Sequence, residues 1–218
     1  MKLHQPQKLI AKVGTDTLTA KNGSLHRENI TRIITQLVDF IRADMHVALV
    51  TSGAKAAGRE QVDFIDGLSG ESLVQGFTSV GQVPLLEAYA DALRPYGIKP
   101  SPAFPTKDDF HNPSHLGAFR TPLRGIFRDS NILPIVNNND MLGLREIRFT
   151  DNDELTYYLA KELMPDTVFL LTSTDGLYDK CPKMYPDSAN LITGPIDPLK
   201  FDFGPIEFGA SSSGAVGG

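Results

Sequence analysis

The run Lys8-Leu9-Ile10-Ala11-Lys12-Val13, closed by Gly14, decides the fold. It reads as a strand: a short apolar stretch ending at a glycine. Downstream, Ile30, Ile33, Ile34, Leu37, Val38 and Ile41 fall at i, i+3, i+4, i+7, i+8 and i+11. That spacing predicts a helix over 27–42 with one apolar face. His46 to Val50, β-branched at Val47 and Val50, is the next strand, and Thr51-Ser52-Gly53 turns from strand to helix. Strand, helix, strand is the unit from which parallel sheets are built, because parallel pairing needs a long crossover.

The rest of the chain repeats the alternation. Residues 84–94 read as a helix with Pro84 in its first turn. Ile98 to Phe104 reads as a strand that Pro100 and Pro102 make either an edge strand or an irregular one. Leu116, Phe119, Leu123, Ile126 and Phe127 predict a helix over 114–129, with a kink or a break at Pro122. Ile132 to Val136 is a strand, 152–163 a helix, and Thr167 to Leu171 a buried strand before the Asp175-Gly176 turn. The fold class is therefore α/β, a three-layer α/β/α sandwich around a mainly parallel sheet. The tail from Gly204 to Gly218, rich in glycine and serine, reads as a disordered end.

Composition narrows the function. Apolar residues make up 41% and charged residues 22% of 218, which suits a globular protein and excludes collagen-like and disordered chains. The formal net charge of −5 argues against nucleic acid as a partner. The single cysteine, Cys181, has no internal partner. No apolar run approaches the roughly 20 residues that span a bilayer, and no signal-peptide core is visible. The expectation is a cytoplasmic protein with no membrane contact.

Ligands of open α/β sheets sit at the carboxyl ends of the strands. There the sequence places Lys12 with Gly14-Thr15, then Thr51-Ser52-Gly53-Ala54, then Asn137 to Asp140, then Thr172-Ser173-Thr174. Small residues, hydroxyls, amides and a lysine suit a phosphate or a carboxylate. No P-loop, no G-x-G-x-x-G after a strand and no G-x-S-x-G elbow is present.

These residues, taken with their surroundings, carry a resemblance. The segments are Lys12-Val13-Gly14-Thr15, Val50-Thr51-Ser52-Gly53-Ala54 with Ala57-Gly58-Arg59, Pro134-Ile135-Val136-Asn137 through Asp140, Thr150-Asp151-Asn152-Asp153, and Leu171-Thr172 with Asp175-Gly176-Leu177-Tyr178-Asp179. Gly81-Gln82, Tyr96-Gly97-Ile98 and Thr106-Lys107-Asp108-Asp109-Phe110 fit between them. In this order they resemble the amino acid kinase family, and within it the members that phosphorylate glutamate.

The resemblance implies ATP-dependent phosphorylation of the side-chain carboxylate of L-glutamate, the first step of proline synthesis, with Mg²⁺ carried on the nucleotide and no metal site of the protein's own. It implies that Lys12 and Asp153 are catalytic, Lys12 contacting the transferring phosphate and Asp153 orienting it. Ser52, Gly53, Ala54, Asp140 and Asn152 would bind glutamate. Gly14, Thr15, Thr172, Ser173, Gly214 and Gly217 would join Lys12 around the nucleotide. The acceptor part would occupy about 1–165 and the nucleotide part would begin at about 166–218. Homo-oligomers and inhibition by proline are also implied.

Plainer readings compete. Lys12 also reads as a solvated lysine at a strand edge, Ser52-Gly53 as a turn and cap, and Asn137 to Asp140 as a polar loop. Thr150 and Asp153 have the spacing of a capping box, which leaves Thr150 or Asp151 to cap while Asp153 reaches the cleft. His111 and His115 stand at i, i+4, but Pro113 between them argues against a metal-binding helix. The family's glycine-rich loop ends in a lysine, and here Ser213 to Gly218 reaches that loop and stops. The expectation is a chain incomplete at its C-terminus. The competing functions are a sibling kinase acting on another small acid or phosphate, and a non-catalytic glutamate-binding relative.

Overall fold

The computed structural model describes residues 7–141, 148–197 and 200. The chain forms two compact units, one ending at Leu171 and one beginning at Thr172.

The first unit is built on five parallel strands: β1 (Lys8–Val13), β2 (His46–Val50), β3 (Lys99–Ala103), β4 (Ile132–Val136) and β5 (Thr167–Leu171). Their order across the sheet is β3-β4-β2-β1-β5. Its helices are α1 (Thr15–Leu18), α2 (Arg27–Arg42), α3 (Ala54–Gln61), α4 (Gly70–Leu93), α5 (Asp108–His111), α6 (Pro113–Phe127) and α7 (Asn152–Leu163).

Alternation along the strands divides the core in two. Leu9, Ala11 and Val13 of β1 pack with Val47, Leu49, Leu133 and Ile135 against α2, α3 and α4. Ile10, Ala48, Val50 and Val136 point the other way, onto Phe110, α6 and α7. Successive side chains of a strand face opposite sides, so a sheet covered on both faces shows continuous apolar runs. Burying each large aliphatic side chain is worth about 1.5–3 kcal/mol. The result is the α/β/α sandwich that the alternation of elements predicts.

Two expectations are corrected, at Pro84 and at β5, and a third is narrowed. The helix expected over 84–94 begins fourteen residues earlier, at Gly70, so Pro84 lies in its interior rather than its first turn. The buried row Phe77, Gly81, Leu85 and Tyr89 does recur every four residues, but Gly81 has no apolar side chain to register in a hydrophobic pattern. Of the two outcomes expected at Pro122, the break does not occur: α6 runs unbroken from Pro113 to Phe127. For both prolines the residue four positions earlier, Val80 or Ala118, is exposed, on the side where water can reach the carbonyl that lacks a donor. Finally, among the described residues β5 lies at an edge of the sheet with Val168, Phe169 and Leu170 exposed, where a buried strand was expected. Of the two outcomes expected for the proline-bearing β3, the edge position holds. Residues 204–218 lie outside the described residues.

Candidate active site

Lys12 is not an edge lysine. β1 lies inside the sheet, paired through Lys12 with Val50 on one side and Leu170 on the other. Its side chain is only 15% exposed, and Nζ stands 2.8 Å from Asp153 Oδ1. Asp153 reaches that point because α7 begins beneath the carboxyl ends of the strands. The cap of α7 is Asp151, whose Oδ1 accepts from the N–H groups of Asp153 and Glu154 at 3.0 and 2.9 Å. Thr150 does not cap; its N–H donates to Glu154 Oε2 at 2.7 Å. Glu154 also pairs with Lys107 at 2.8 Å. Burial pushes the Glu154 carboxyl up, but hydrogen bonds from Lys107 and Thr150 outweigh it and leave the group below its usual range.

Asn152, the first residue of α7, reaches across to β2. Its Nδ2 lies 2.6 Å from the Thr51 carbonyl, 2.9 Å from Ser52 Oγ and 3.1 Å from Asn137 Oδ1. One amide thus joins the ends of β2, β4 and α7. Gly53 follows in the left-handed region, at φ +93°, and starts α3 at Ala54. A Cβ there would also stand 3.2 Å from that of Leu18, so only glycine fits.

The loop after β4 is a built site rather than a solvated turn. Asn137 and Asn138 are both buried. Asn137 Oδ1 accepts from the Asn138 N–H at 2.9 Å, and its Nδ2 lies 3.4 Å from Gln82 Oε1 on α4. Asn138 Nδ2 donates to Asp140 Oδ1 at 3.0 Å. Asp140, Asn138, Asn139 and Met141 line a cleft of about 150 Å³ with Thr78, Ser79, Gln82 and Phe104. Burial pushes the Asp140 carboxyl up, and the positive charge of Arg148 opposes it. Two carbonyl oxygens here, Asn138 Oδ1 and Asn152 Oδ1, are buried with no hydrogen-bond partner. Buried acceptors are normally satisfied, so these two stand out among the described residues.

Gly14 and Thr15 follow β1 directly. The Gly14 N–H donates to the Leu171 carbonyl at 3.2 Å, and a Cβ on it would lie 3.8 Å from Lys12 Nζ. Thr172 and Ser173 open the second unit, where Thr172 Oγ1 and Thr174 Oγ1 are 3.0 Å apart. Gly214 and Gly217 lie outside the described residues. Among the described residues no three His, Cys, Asp or Glu side chains converge to hold a metal ion. His111 Nε2 contacts Tyr158 OH at 2.9 Å, and His115 Nδ1 contacts Asp108 at 2.8 Å. No helix among the described residues is long and apolar enough to cross a membrane.

The arrangement is a lysine held by a carboxylate, beside an amide and hydroxyl cluster and an acidic cleft. A family model, described as the amino acid kinase family, matches residues 7–194. The chain belongs to the amino acid kinase family. Two similar relatives are glutamate 5-kinases. The one from Chlorobaculum tepidum is 33% identical over 209 residues, covering 93% of this chain and 56% of the relative. The one from Streptococcus suis is 35% identical over 210 residues, covering 96% and 58%. The chain thus spans somewhat more than half the length of these two relatives. Among solved structures, an isopentenyl phosphate kinase in complex with its substrate aligns with a TM-score of 0.61 at 21% identity, over 85% of this chain and 77% of that one. At that identity the likeness establishes the amino acid kinase fold alone.

Asn137, Gln82 and Asn138 had been assigned no role from sequence. Asn137 and Asn138 fall in the polar run after β4 and Gln82 in the Gly81-Gln82 segment, and neither signal reveals which amides turn inward.

Proposed function

We propose that this chain carries the acceptor site and one catalytic lysine of a kinase that phosphorylates the side-chain carboxylate of L-glutamate, giving glutamyl 5-phosphate. The observation that carries the reading is the Lys12–Asp153 pair, set beside the Asn152–Ser52 cluster at the carboxyl edge of the sheet. The glutamate 5-kinase relatives support the choice of acceptor.

A carboxylate with an ordinary pKa of about 4.3 is already a nucleophile at neutral pH, so no general base is needed. One carboxylate oxygen bonds to the γ-phosphorus of ATP. The bond from that phosphorus to the β,γ-bridging oxygen breaks, and its electron pair leaves on ADP. What the protein supplies is alignment and positive charge. Lys12 faces the transferring phosphoryl group, and Asp153 holds its ammonium in place. Gly14 keeps side-chain bulk away from Lys12 Nζ, and Ser52, Asn152 and Asp140 hold the acceptor. Gly53 and Ala54 present backbone N–H groups, and Thr15, Thr172 and Ser173 attend the nucleotide. Mg²⁺ arrives on ATP and adds charge neutralisation there. The acceptor part takes in about 1–165, with nucleotide handling from about 166 onward. Cytoplasmic location, homo-oligomeric assembly and inhibition by proline belong to the same reading and rest on family resemblance.

The test is calorimetric titration of the chain with L-glutamate, with L-aspartate and N-acetyl-L-glutamate as controls. Selective binding of L-glutamate is expected. A folded chain that ignores glutamate but binds another acid would move the reading to a sibling kinase.

A further inference from the structure

Three consecutive residues at the start of α7 tie that helix to three different parts of the molecule. Successive side chains of an α-helix point about 100° apart around its axis. Asn152 turns to the ends of β2 and β4, through Thr51, Ser52 and Asn137. Asp153 turns to Lys12 of β1. Glu154 turns to Lys107, between β3 and α5, with Nζ and Oε1 2.8 Å apart. Its other oxygen, Oε2, accepts the Thr150 N–H at 2.7 Å. One carboxylate thus holds both the first turn of α7 and the segment that enters it. Lys107 itself stands on fixed ground. Its carbonyl accepts from the N–H groups of Phe110 and His111 at 3.0 and 3.1 Å. Thr106 beside it is buried and donates to Asp109 Oδ2 through its N–H and its hydroxyl, at 2.7 and 2.9 Å. Phe110 is buried too, with the rings of Phe149 and Tyr158 centred 5.8 and 5.5 Å away.

Resting on the reading proposed above, we infer that Lys107 is a positioning residue: through Glu154 it fixes the rotation of α7 and so holds Asp153 against Lys12. Asn152 and Glu154 flank Asp153 and point to either side of it. With both anchored, the Asp153 carboxylate has one direction in which to reach. Without Lys107 the anchor on one side is gone, and α7 can turn about the bonds of Asn152. The side chains of a helix end about 5–6 Å from its axis, so a roll of about 10° carries a carboxylate about 1 Å. That is enough to lose a hydrogen bond made at 2.8 Å. At a reacting centre a 1 Å error costs about 100-fold in rate. A pair on an open surface would join two side chains and do nothing further. This pair is largely shielded, with Lys107 and Glu154 only 20% and 28% exposed, and it passes through Glu154 Oε2 to the backbone.

The experiment reads Lys12 directly on the full chain. Trace acetic anhydride labels the lysines, and peptide mass spectrometry gives the rate at each one. A carboxylate in contact with an ammonium shields it and favours its charged, unreactive form. Lys107→Met should therefore raise the labelling rate of Lys12 about threefold or more, while Lys161, near the far end of α7, stays within about 1.5-fold. Lys107→Arg keeps a cation opposite Glu154 and should keep the wild-type rate. In a turnover assay Lys107→Met should lower kcat about tenfold or more and leave the KM for glutamate within about threefold, because Asn152 keeps its own bonds. A lower Tm with unchanged Lys12 labelling would make the pair merely structural. Equal rises at Lys12 and Lys161 would mean that α7 loosens as a whole. No change at all would make the pair idle, and each of these results overturns the inference. Glu154→Gln keeps an acceptor for the Thr150 N–H but not the charge; it should also raise Lys12 labelling, and it serves if Lys107→Met does not fold. A wild-type chain that neither binds glutamate nor turns over would sink the function proposed above and leave the labelling comparison standing.

Discussion

Adding one methyl group at Gly81 should do more damage than removing most surface side chains. A Cβ at Gly81 would lie 1.7 Å from the Ala54 carbonyl oxygen, 2.5 Å from the Gly58 nitrogen and 2.8 Å from the Ala54 carbonyl carbon. All three are backbone atoms of α3, so no side chain can rotate away. A carbon meets a carbonyl oxygen comfortably at about 3.3 Å, so the two helices must part by roughly 1.5 Å at this point. Overpacking costs about 1–3 kcal/mol where side chains can give and more where they cannot, against roughly 1 kcal/mol of helix propensity gained from alanine. We expect Gly81→Ala to lose about 3 kcal/mol, a fall in Tm of roughly 6–12 °C for a domain of this size. The control is Gly125→Ala in α6, where a Cβ would meet nothing within 4 Å. There only the propensity term remains, a gain of about 0.5–1 kcal/mol. Urea and thermal melts of the two variants against wild type make the comparison. α3 begins at Ala54 and α4 carries Gln82, so Gly81→Ala should also weaken glutamate binding while Gly125→Ala leaves it alone. Two shifts of the same sign, or a Gly81→Ala chain melting within a degree or two of wild type, would refute the claim that close backbone contact fixes these helices.

Lys12→Met should leave melting within about 1 kcal/mol, because Asp153 stays 43% exposed and hydrated, and on the proposed kinase reading it should lower phosphoryl transfer by about 100-fold or more. Glutamyl phosphate formation within tenfold of wild type would take Lys12 out of its role. Asp140→Asn should stabilise the fold at neutral pH. Burial raises the Asp140 pKa above its ordinary 3.8, so the folded chain holds this proton longer than the unfolded chain. Stability attached to that proton is complete below 3.8 and is lost as pH rises through the raised value, so the gain from asparagine should vanish in acid and appear above that window. A Tm difference independent of pH would contradict this. Asp151→Ala removes both cap bonds of α7 and should cost about 1 kcal/mol, or roughly 2–4 °C, with Asp151→Ser recovering most of it in the same melts.

The parts of the fold legible in the sequence are those held by apolar side chains. β1, β2, β4, α2 and α7 each bury a stripe of leucine, isoleucine or valine, and a stripe has a period. The junction of α3 and α4 is held instead by absent side chains, Gly58 and Gly81, and a missing atom leaves no period to read. β5 misled for the opposite reason. Thr167 to Leu171 is as apolar as a central strand, but hydrophobicity alone does not say whether a neighbour covers it. The site divides along the same line. Lys12 stood out as a charge inside an apolar run, and Asp153 as an acid at a helix start. Gln82 and Asn137 belong to recognisable segments but show no role there, because an amide that joins two elements looks in sequence like one that meets water. Burial of Asn137 and Asn138 is a property of the assembled loop.

The Lys12–Asp153 pair has a consequence for the order of events in the kinase reading. Lys12 is largely buried and Asp153 is the more exposed partner, so the carboxylate stands on the solvent side of the ammonium. An incoming phosphoryl group is also an anion and must share or replace that contact. Asp153, with its side chain 43% exposed, keeps its hydration when the contact opens, which lowers the cost of the exchange on its side. Asp153 is not stranded when Lys12 turns to phosphate. It lies in the first turn of α7, with its own N–H fixed by Asp151, where the helix dipole favours a negative charge by about 0.3–1 kcal/mol. A neutral residue at 153 would leave Lys12 free to bind phosphate in any orientation. A carboxylate anchored to a helix end holds the ammonium where the phosphoryl group must pass and releases it there. The loss on Asp153→Asn should therefore fall on kcat rather than on glutamate affinity.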